Sequence, residues 1–372
     1  MLAEDQSPFL YKTFSFRVKD RRAGRRSLAP KGRAVNTVWN YCNEISRRSA
    51  ERGKKWVGKQ ELRALTKGAG RELGLPSQVV QEVIDQFLKS RRQSGRPRLR
   101  WRVSRGPRRS LGWIPFTNQD VAVLGDAVLL RGERFRIWKH RDIPGRIKCG
   151  SFSEDARGRW YVNLVVEVPR PAATNRTRIV GYDLGHRTVA TGFNAPDLEQ
   201  ARFYRGDMEA RIAEAQRRGR RRHARTLAAK VKNRRKDLLH KFARAAVDNA
   251  GAIFVGNVSA SWQARSGRGK AVHDQGWSML RNLFSYKCDH AGVAFAEVDE
   301  RHTTQLCSGC GALGGPQGRE ELGVRRWVCD ACGAVHDRDR NAAVNIARLG
   351  CETLGLKWPG SPSFGTEQPS LH

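Results

Sequence analysis

Two Cys-x-x-Cys pairs near the C-terminus constrain this chain more than any other feature. They are Cys307/Cys310, within TTQLCSGCG (303–311), and Cys329/Cys332, within RRWVCDACGAVHDRDRNAAVNI (325–346). Each second Cys is followed by a glycine, Gly311 or Gly333, a residue that accepts the φ > 0 geometry of a tight knuckle. Two matched knuckles on a short ribbon present four thiolates to one ion, the pattern of a closed tetrahedral zinc site rather than of a redox pair. With all four positions taken by sulfur, such a metal supports the fold and does no chemistry. Chemistry must then come from elsewhere, and acids flank the ribbon: Glu297, Asp299 and Glu300 before it, Asp337 and Asp339 after it.

The charge balance points to the partner. The 372 residues carry 70 Lys plus Arg against 36 Asp plus Glu, a formal charge of +34. Such an excess repels itself unless a polyanion neutralises it, so nucleic acid is the expected partner. A membrane surface fits less well, because the basic residues run throughout and no lipid-anchor motif is present. The start, MLAEDQSPFLYKTF, lacks the apolar core of a signal peptide, and no stretch is long enough to span a bilayer. Cys42, Cys149, Cys288 and Cys351 are scattered and read as reduced core thiols, which implies a reducing compartment such as the cytoplasm or nucleoid.

Residues 9–18, FLYKTFSFRV, alternate like a strand. Three helical segments follow: 34–49, with Val35, Val38, Trp39, Cys42 and Ile45 on one face; 59–70; and GLPSQVVQEVIDQFLKSRRQ, where Ser77 suits an N-cap. Residues 92–113 change character, with eight Arg, Trp101 among them and Trp113 at the far edge. A basic run interleaved with aromatics suits phosphate contact and base stacking. Arg98, Arg100, Trp101, Arg102, Arg105, Arg108 and Arg109 are therefore candidate nucleic-acid contacts. Strands are expected at 121–130, 135–141, 150–155 and 160–169, forming a small β domain with the first strand, the helices inserted between.

Past a boundary near Pro171, RIVGYDLGHRTVATGF (178–193) reads as a strand ending in Asp183, a turn and a return strand. Residues 211–241 hold thirteen Lys or Arg against two acids in a helical pattern; Arg218, Arg221 and Arg222 are candidate backbone contacts. A buried strand with a turn (252–261), an amphipathic helix (278–292), a strand (292–300), the ribbon and a last helix complete the unit. The tail from Glu352 reads as loose. Asp183, Asp339 and one or more of Glu297, Asp299 and Glu300 stand at strand ends or a helix start, where one α/β sheet can bring them together. Phosphodiester hydrolysis uses such carboxylates to hold two Mg²⁺ about 3.5 to 4 Å apart. From the residues alone, a binding protein without activity stays open.

The N-terminal strand, RWRVSRGPRRSLGWIPF (100–116), GYDLG (181–185), TTQLCSGCG and CGAVHDRDRNAAVNI (332–346) together resemble the TnpB (OrfB-type) proteins of bacterial insertion sequences, relatives of the compact type V CRISPR effectors. The resemblance implies a multidomain α+β fold. A β-barrel-like wedge domain (1–24 and 95–172) would carry an inserted helical recognition lobe (25–94). A RuvC-like, RNase H-type α/β nuclease domain (173–304 and 334–350) would carry an inserted zinc ribbon (305–333), with a flexible tail at 351–372. It further implies RNA-guided cleavage of double-stranded DNA beside a transposon-adjacent motif, Zn²⁺ and Mg²⁺ as cofactors, and a guide RNA from the transposon end. The transposase of the same element is a candidate partner, and a bacterial, nucleoid-associated location is implied.

By position, Asp183 matches the first catalytic acid and Asp339 the third. Asp337 is expected to be a local cap, and His336 to be structural rather than a fifth zinc ligand. The middle acid departs from the family pattern: where an acidic pair usually ends the second strand, this chain has Gly256 and Asn257. Either the nuclease is lost, leaving an RNA-guided DNA binder that acts as a repressor or a transposition accessory protein, or the acid has moved to Glu300, one strand later. Strand alternation puts Glu297 and Asp299 on the opposite face from Glu300, so a misjudged face would transfer the role to Glu297. A DDE-type transposase also needs three acids, but the inserted ribbon and the Asp-Arg-Asn-Ala-Ala helix fit the RuvC-like class.

Overall fold

The computed structural model describes residues 7 to 359, apart from residues 21, 23, 54–55, 107, 186, 200–207, 258–275 and 318–319. Most of the turn expected after Asn257, and the end of the expected tail, lie outside the described residues. The chain divides between Arg170 and Pro171 into two units.

In the first unit, β1 (Phe9–Arg17) pairs antiparallel along its length with β7 (Trp160–Pro169). The chain between these strands therefore leaves the sheet and later returns to it. It first runs through α1 (Ala29–Glu51), α2 (Lys59–Leu65), α3 (Ala69–Leu73) and α4 (Ser77–Ser94). It returns as β2 (Trp113–Thr117), the meander β3 (Val121–Leu124), β4 (Ala127–Leu130) and β5 (Glu133–Arg136), and then β6 (Arg146–Glu154). One sheet has the order β1-β7-β6-β2, and the meander is a second; a Val18–Ile137 bridge links them. Alternate residues of β7, Val162, Leu164 and Val166, face inward and meet Trp39 of α1 and Phe87 of α4 in a single core, so helices and sheets bury their apolar faces together. The expected helix over 59–70 is split by Gly68 at φ +90°. Ser77 is the first helical residue rather than the cap, and Pro76 holds the cap position. Cys149 is exposed, unlike Cys42, Cys288 and Cys351, which are buried thiols.

The second unit is built on a five-stranded sheet, ordered β10-β9-β8-β11-β12. Strands β8 (Ile179–Asp183), β11 (Ala252–Gly256) and β12 (Ala294–Val298) run parallel, and β9 (Thr188–Phe193) and β10 (Leu198–Glu199) are antiparallel hairpin strands. Between them lie α5 (Glu209–Arg217), α6 (Arg221–Asn249) and α7 (Trp277–Asp289). The expected single basic helix is broken at Gly219, φ +67°. A hairpin of β13 (Arg326–Val328) and β14 (Val335–Asp337) leads into α8 (Arg338–Leu354), whose last turn takes up the start of the expected tail.

Strand alternation gives this sheet two different faces. Val180, Tyr182, Ile253 and Val255 pack against Leu239, Trp277, Leu280 and Phe284 of α6 and α7. Ile179, Phe254 and Val298 pack on the other face against Ile346, Ala347 and Cys351 of α8. The small residues of Asn341-Ala-Ala-Val let α8 lie close to the sheet: a side chain at Gly181 would run into the Ala343 carbonyl and Ala347.

Candidate carboxylate site and cysteine cluster

Asp183 ends β8, and the register that pairs Tyr182 with Val255 puts Asp183 level with Gly256 at the C-terminal ends of parallel strands. This end of an open α/β sheet is where ligands bind. Asp183 and Gly256 share the α8 face, and so does Glu300, two residues past Val298. The Glu300 side chain lies over Gly256: a Cβ on Gly256 would sit 2.8 Å from Glu300 Oε2 and 3.2 Å from Ile346 Cδ1. The space left by the missing side chain at 256 is thus filled by the carboxylate of 300. Glu297 points to the opposite face, where it is exposed and pairs with Arg281 of α7 at 3.2 Å. Asp299 is exposed and pairs with Arg301.

Asp339 stands in the first turn of α8, with Arg325 Nη1 3.2 Å from its Oδ1. Asp337 is the N-cap and accepts from the Arg340 N–H at 3.0 Å, which removes it from the carboxylate group. Arg340 reaches across to β9, donating to Gly192 O (3.1 Å) and pairing with Asp197 (2.9 Å), so it anchors the helix start beside β8.

Electrostatics couple the three acids. Burial, reinforced by the negative charges of Asp339 and Glu300, raises the Asp183 carboxyl to about 8 despite Arg338 and Arg325. Asp183 keeps some surface open to solvent even though protein surrounds most of it. Burial also raises Glu300 to about 7; Arg281 opposes this and Asp299 adds to it. Carboxylates held together at this cost in ionisation form a site that a cation would relieve. Their donors are all oxygens, which suits Mg²⁺. Among the described residues only the four cysteines bring three or more ligand atoms all within 4.8 Å of one another, so the carboxylates stand farther apart than the ligands of one small ion.

The cysteine cluster is built by two nearly equivalent knuckles. In one, Gly311 N donates to Cys307 O and Cys307 N to Ala312 O; in the other, Gly333 N donates to Cys329 O and Cys329 N to Ala334 O. Gly311 and Gly333 both have positive φ, +79° and +72°. Cys307 and Cys332 Sγ are 3.6 Å apart, and Cys310 and Cys329 Sγ 3.7 Å. An ion about 2.3 Å from each sulfur at tetrahedral angles would set neighbouring sulfurs about 3.8 Å apart, so the cluster fits zinc. His336 Nε2 lies 3.0 Å from Cys307 Sγ, and its ring packs on Trp327, 4.6 Å between centroids. Burial raises the Cys307 pKa, but N–H donors from Cys310 and His336 outweigh it and bring it down to about 6.

The Arg-rich segment of the first unit divides in two. Arg98, Arg100, Trp101, Arg105 and Arg108 are exposed. Arg102 instead stacks over Trp39 (4.6 Å) and Trp113 (5.2 Å), and burial pulls its pKa below the usual guanidinium value. Arg109 makes a bidentate pair with Glu154, both distances 2.6 Å. Sequence reasoning missed what holds the segment in place. Asn40 and Asn43 of α1 each exchange two 2.8 Å hydrogen bonds with a backbone group pair, at Arg102 and Leu99 respectively, and Ser46 donates to Pro97 O. In the second unit Arg218 is paired with Glu214 (2.9 Å), while Arg221 and Arg222 are exposed on the first turn of α6. No helix among the described residues is long and apolar enough to cross a membrane.

Residues 277–346, from α7 through the cysteine cluster into α8, match the model of the Cas12f1-like TNB domain. A Streptomyces pristinaespiralis protein named as a candidate RNA-guided DNA endonuclease is 33% identical over 213 residues, 53% of this chain and 52% of that one. The CRISPR-associated endodeoxyribonuclease Cas12f1 of Sulfoacidibacillus thermotolerans is 25% identical over 242 residues, 56% of each chain. The chain thus spans about half the length of these curated relatives. A solved Cas12f1–sgRNA–target DNA complex contains a chain of the same fold, with TM-score 0.57 and 12% identity over 92% of this chain and 99% of that one. Over about half its length the chain is thus similar to RNA-guided DNA endonucleases, its residues 277–346 match the Cas12f1-like TNB domain, and its fold is shared with a chain of the solved Cas12f1 complex.

Proposed function

We propose that this chain is a transposon-encoded, RNA-guided DNA endonuclease that hydrolyses target DNA beside a short adjacent motif. In this reading the first unit is the wedge-like domain with its helical insertion, and the second is a RuvC-like nuclease carrying a zinc ribbon on Cys307, Cys310, Cys329 and Cys332. Asp183, Glu300 and Asp339 are the residues that would hold Mg²⁺, which when bound supplies an activated water and stabilises the leaving oxygen of the scissile phosphate. Asp183 and Glu300 must release protons to take up a cation, Arg325 orients Asp339, and Gly256 leaves room for the Glu300 carboxylate. Exposed arginines such as Arg98, Arg100 and Arg221 meet phosphates, while base pairing with the guide supplies sequence.

What supports a working site is Glu300, whose carboxylate occupies the space above Gly256 on the face shared with Asp183 and α8. A site in decay has no need to refill that position with an acid. The test is target cleavage by the chain purified with RNA transcribed from its flanking DNA, in Mg²⁺. Wild type and Glu297→Ala are expected to cut, and Asp183→Ala, Glu300→Ala and Asp339→Ala to bind without cutting. Target binding by wild type with no product would replace this reading by a cleavage-defective RNA-guided binder.

A further inference from the structure

Between β12 and the first cysteine knuckle, residues 300–308 form a turn outside any helix, held by local bonds. Thr303 donates to Glu300 O through both its N–H (3.2 Å) and its hydroxyl (2.8 Å). His302 takes φ +63°, uncommon for a residue with a side chain, and its Nδ1 lies 2.8 Å from Gln305 Oε1. The turn leaves two carbonyls aimed at α8, those of Thr303 and Leu306. Two carboxamides on one face of α8 take both of them. Asn341 Nδ2 donates to Thr303 O (3.0 Å) and Leu306 O (2.7 Å), and Asn345 Nδ2 to the same pair (2.9 and 2.7 Å). Asn341 Oδ1 accepts from Ser308 N (2.8 Å), inside the knuckle itself. Asn341 and Asn345 are only 2% and 3% exposed, and Thr303 1%. Buried amides are costly unless satisfied, and here one turn satisfies both.

We propose that Asn341 and Asn345 are positioning residues for Glu300. They clamp the 300–308 turn to the helix that carries Asp339, and so hold the Glu300 carboxylate over Gly256 while tying the cysteine knuckle to the carboxylate site. The spacing i, i+4 on α8 puts both amides above one turn, and Thr303 passes their grip to the Glu300 carbonyl. This inference rests on the reading that Glu300 holds a divalent cation. A merely structural pair would keep the ribbon folded without affecting cation binding at the acids.

The full-length chain is titrated with Mn²⁺, free Mn²⁺ is read by electron paramagnetic resonance, and zinc is counted by release to a chelator. Asn345→Ala is expected to keep the wild-type zinc content yet need about tenfold more Mn²⁺ for half-saturation, the low end of what outer-shell partners of a metal site contribute. Thr303→Val is close to isosteric and removes only the hydroxyl bond to Glu300 O; it should shift the midpoint the same way by less. It carries the test if Asn345→Ala does not fold or loses zinc. An unchanged Mn²⁺ midpoint in the variants, beside a Glu300→Ala that binds Mn²⁺ more weakly than wild type, overturns the clamp and leaves the cation reading standing. Glu300→Ala with wild-type Mn²⁺ binding overturns both.

Discussion

Gly256→Ala adds one methyl group where the acid is missing from the family pattern, and the structure sets its effect. The new Cβ would lie 2.8 Å from Glu300 Oε2, while ordinary contact begins at 3.4 Å, so the carboxylate must retreat by about 0.6 Å. The displaced atom ends a flexible side chain, and the next contacts, Ile346 Cδ1 at 3.2 Å and Glu300 Cβ at 3.3 Å, need only small adjustment. The cost in stability should therefore stay near ~1 kcal/mol. Catalysis is less tolerant: a misplacement of about 1 Å costs on the order of 100-fold, so a shift of roughly 0.6 Å should slow cutting about tenfold. Single-turnover cleavage at saturating Mg²⁺ measures the rate, and thermal unfolding of Gly256→Ala in wild-type and Glu300→Ala backgrounds measures the contact. Because Glu300→Ala removes the 2.8 Å contact and leaves the looser ones to Ile346 Cδ1 and the Cβ of residue 300, the methyl group should destabilise the wild-type background more than the Glu300→Ala one, a non-additivity that reports direct coupling. Wild-type cutting by Gly256→Ala, or equal destabilisation in both backgrounds, would refute the placement of Glu300 over Gly256.

A cation held by Asp183 and Glu300, as proposed, would compete with protons there. In the metal-free chain Asp183 and Glu300 have raised pKa values, about 8 and about 7, so the folded state binds more protons than the unfolded one above about pH 4. Stability should then fall as pH rises from about 4 to 8, and Mg²⁺ should raise the melting temperature more at pH 8 than at pH 5; a pH-independent response to Mg²⁺ would contradict this. His336→Ala removes the donor to Cys307, and zinc loss to a chelator should quicken about tenfold. Arg102→Ala should lower the melting temperature by removing a cation held between Trp39 and Trp113, a contact worth about 1 to 2 kcal/mol. Arg98→Ala and Arg100→Ala should leave stability unchanged and each reduce the salt dependence of nucleic-acid binding by about one ion.

Much of the second unit could be read from local pattern. An apolar run ending in Asp183, the glycines after each cysteine pair and the small residues after Asp339 each dictate their own geometry, because strand alternation, positive φ and close helix packing are short-range effects. In the first unit β1, β6 and β7 were legible, and so was the first strand's place in the β domain, but β2 was not expected and 121–130 read as one strand where a turn at Gly125 (φ +55°) folds it into the β3–β4 hairpin; the register that pairs β1 with β7 has no local signal. The least legible residues are the buried amides. Nothing local marks Asn40, Asn43, Asn341 or Asn345, because their partners are carbonyls and N–H groups far away in sequence. Arg102 and Arg109 were indistinguishable from Arg98 and Arg100 for the same reason: only the fold supplies Trp39, Trp113 and Glu154. Gly256 read as an absence, and its meaning depends on Glu300 coming from another strand.

In the proposed nuclease the acid missing at Gly256 is supplied by Glu300. Plasmid cleavage by the RNA-bound chain in Mg²⁺, with Glu300→Ala and Glu297→Ala beside wild type, tests it most directly. Cutting by wild type and Glu297→Ala but not by Glu300→Ala is the predicted result, with the loss at least about 100-fold, since an ion's charge stabilisation is worth several kcal/mol. Cutting by Glu300→Ala at the wild-type rate, or target binding by wild type without any product, would contradict it.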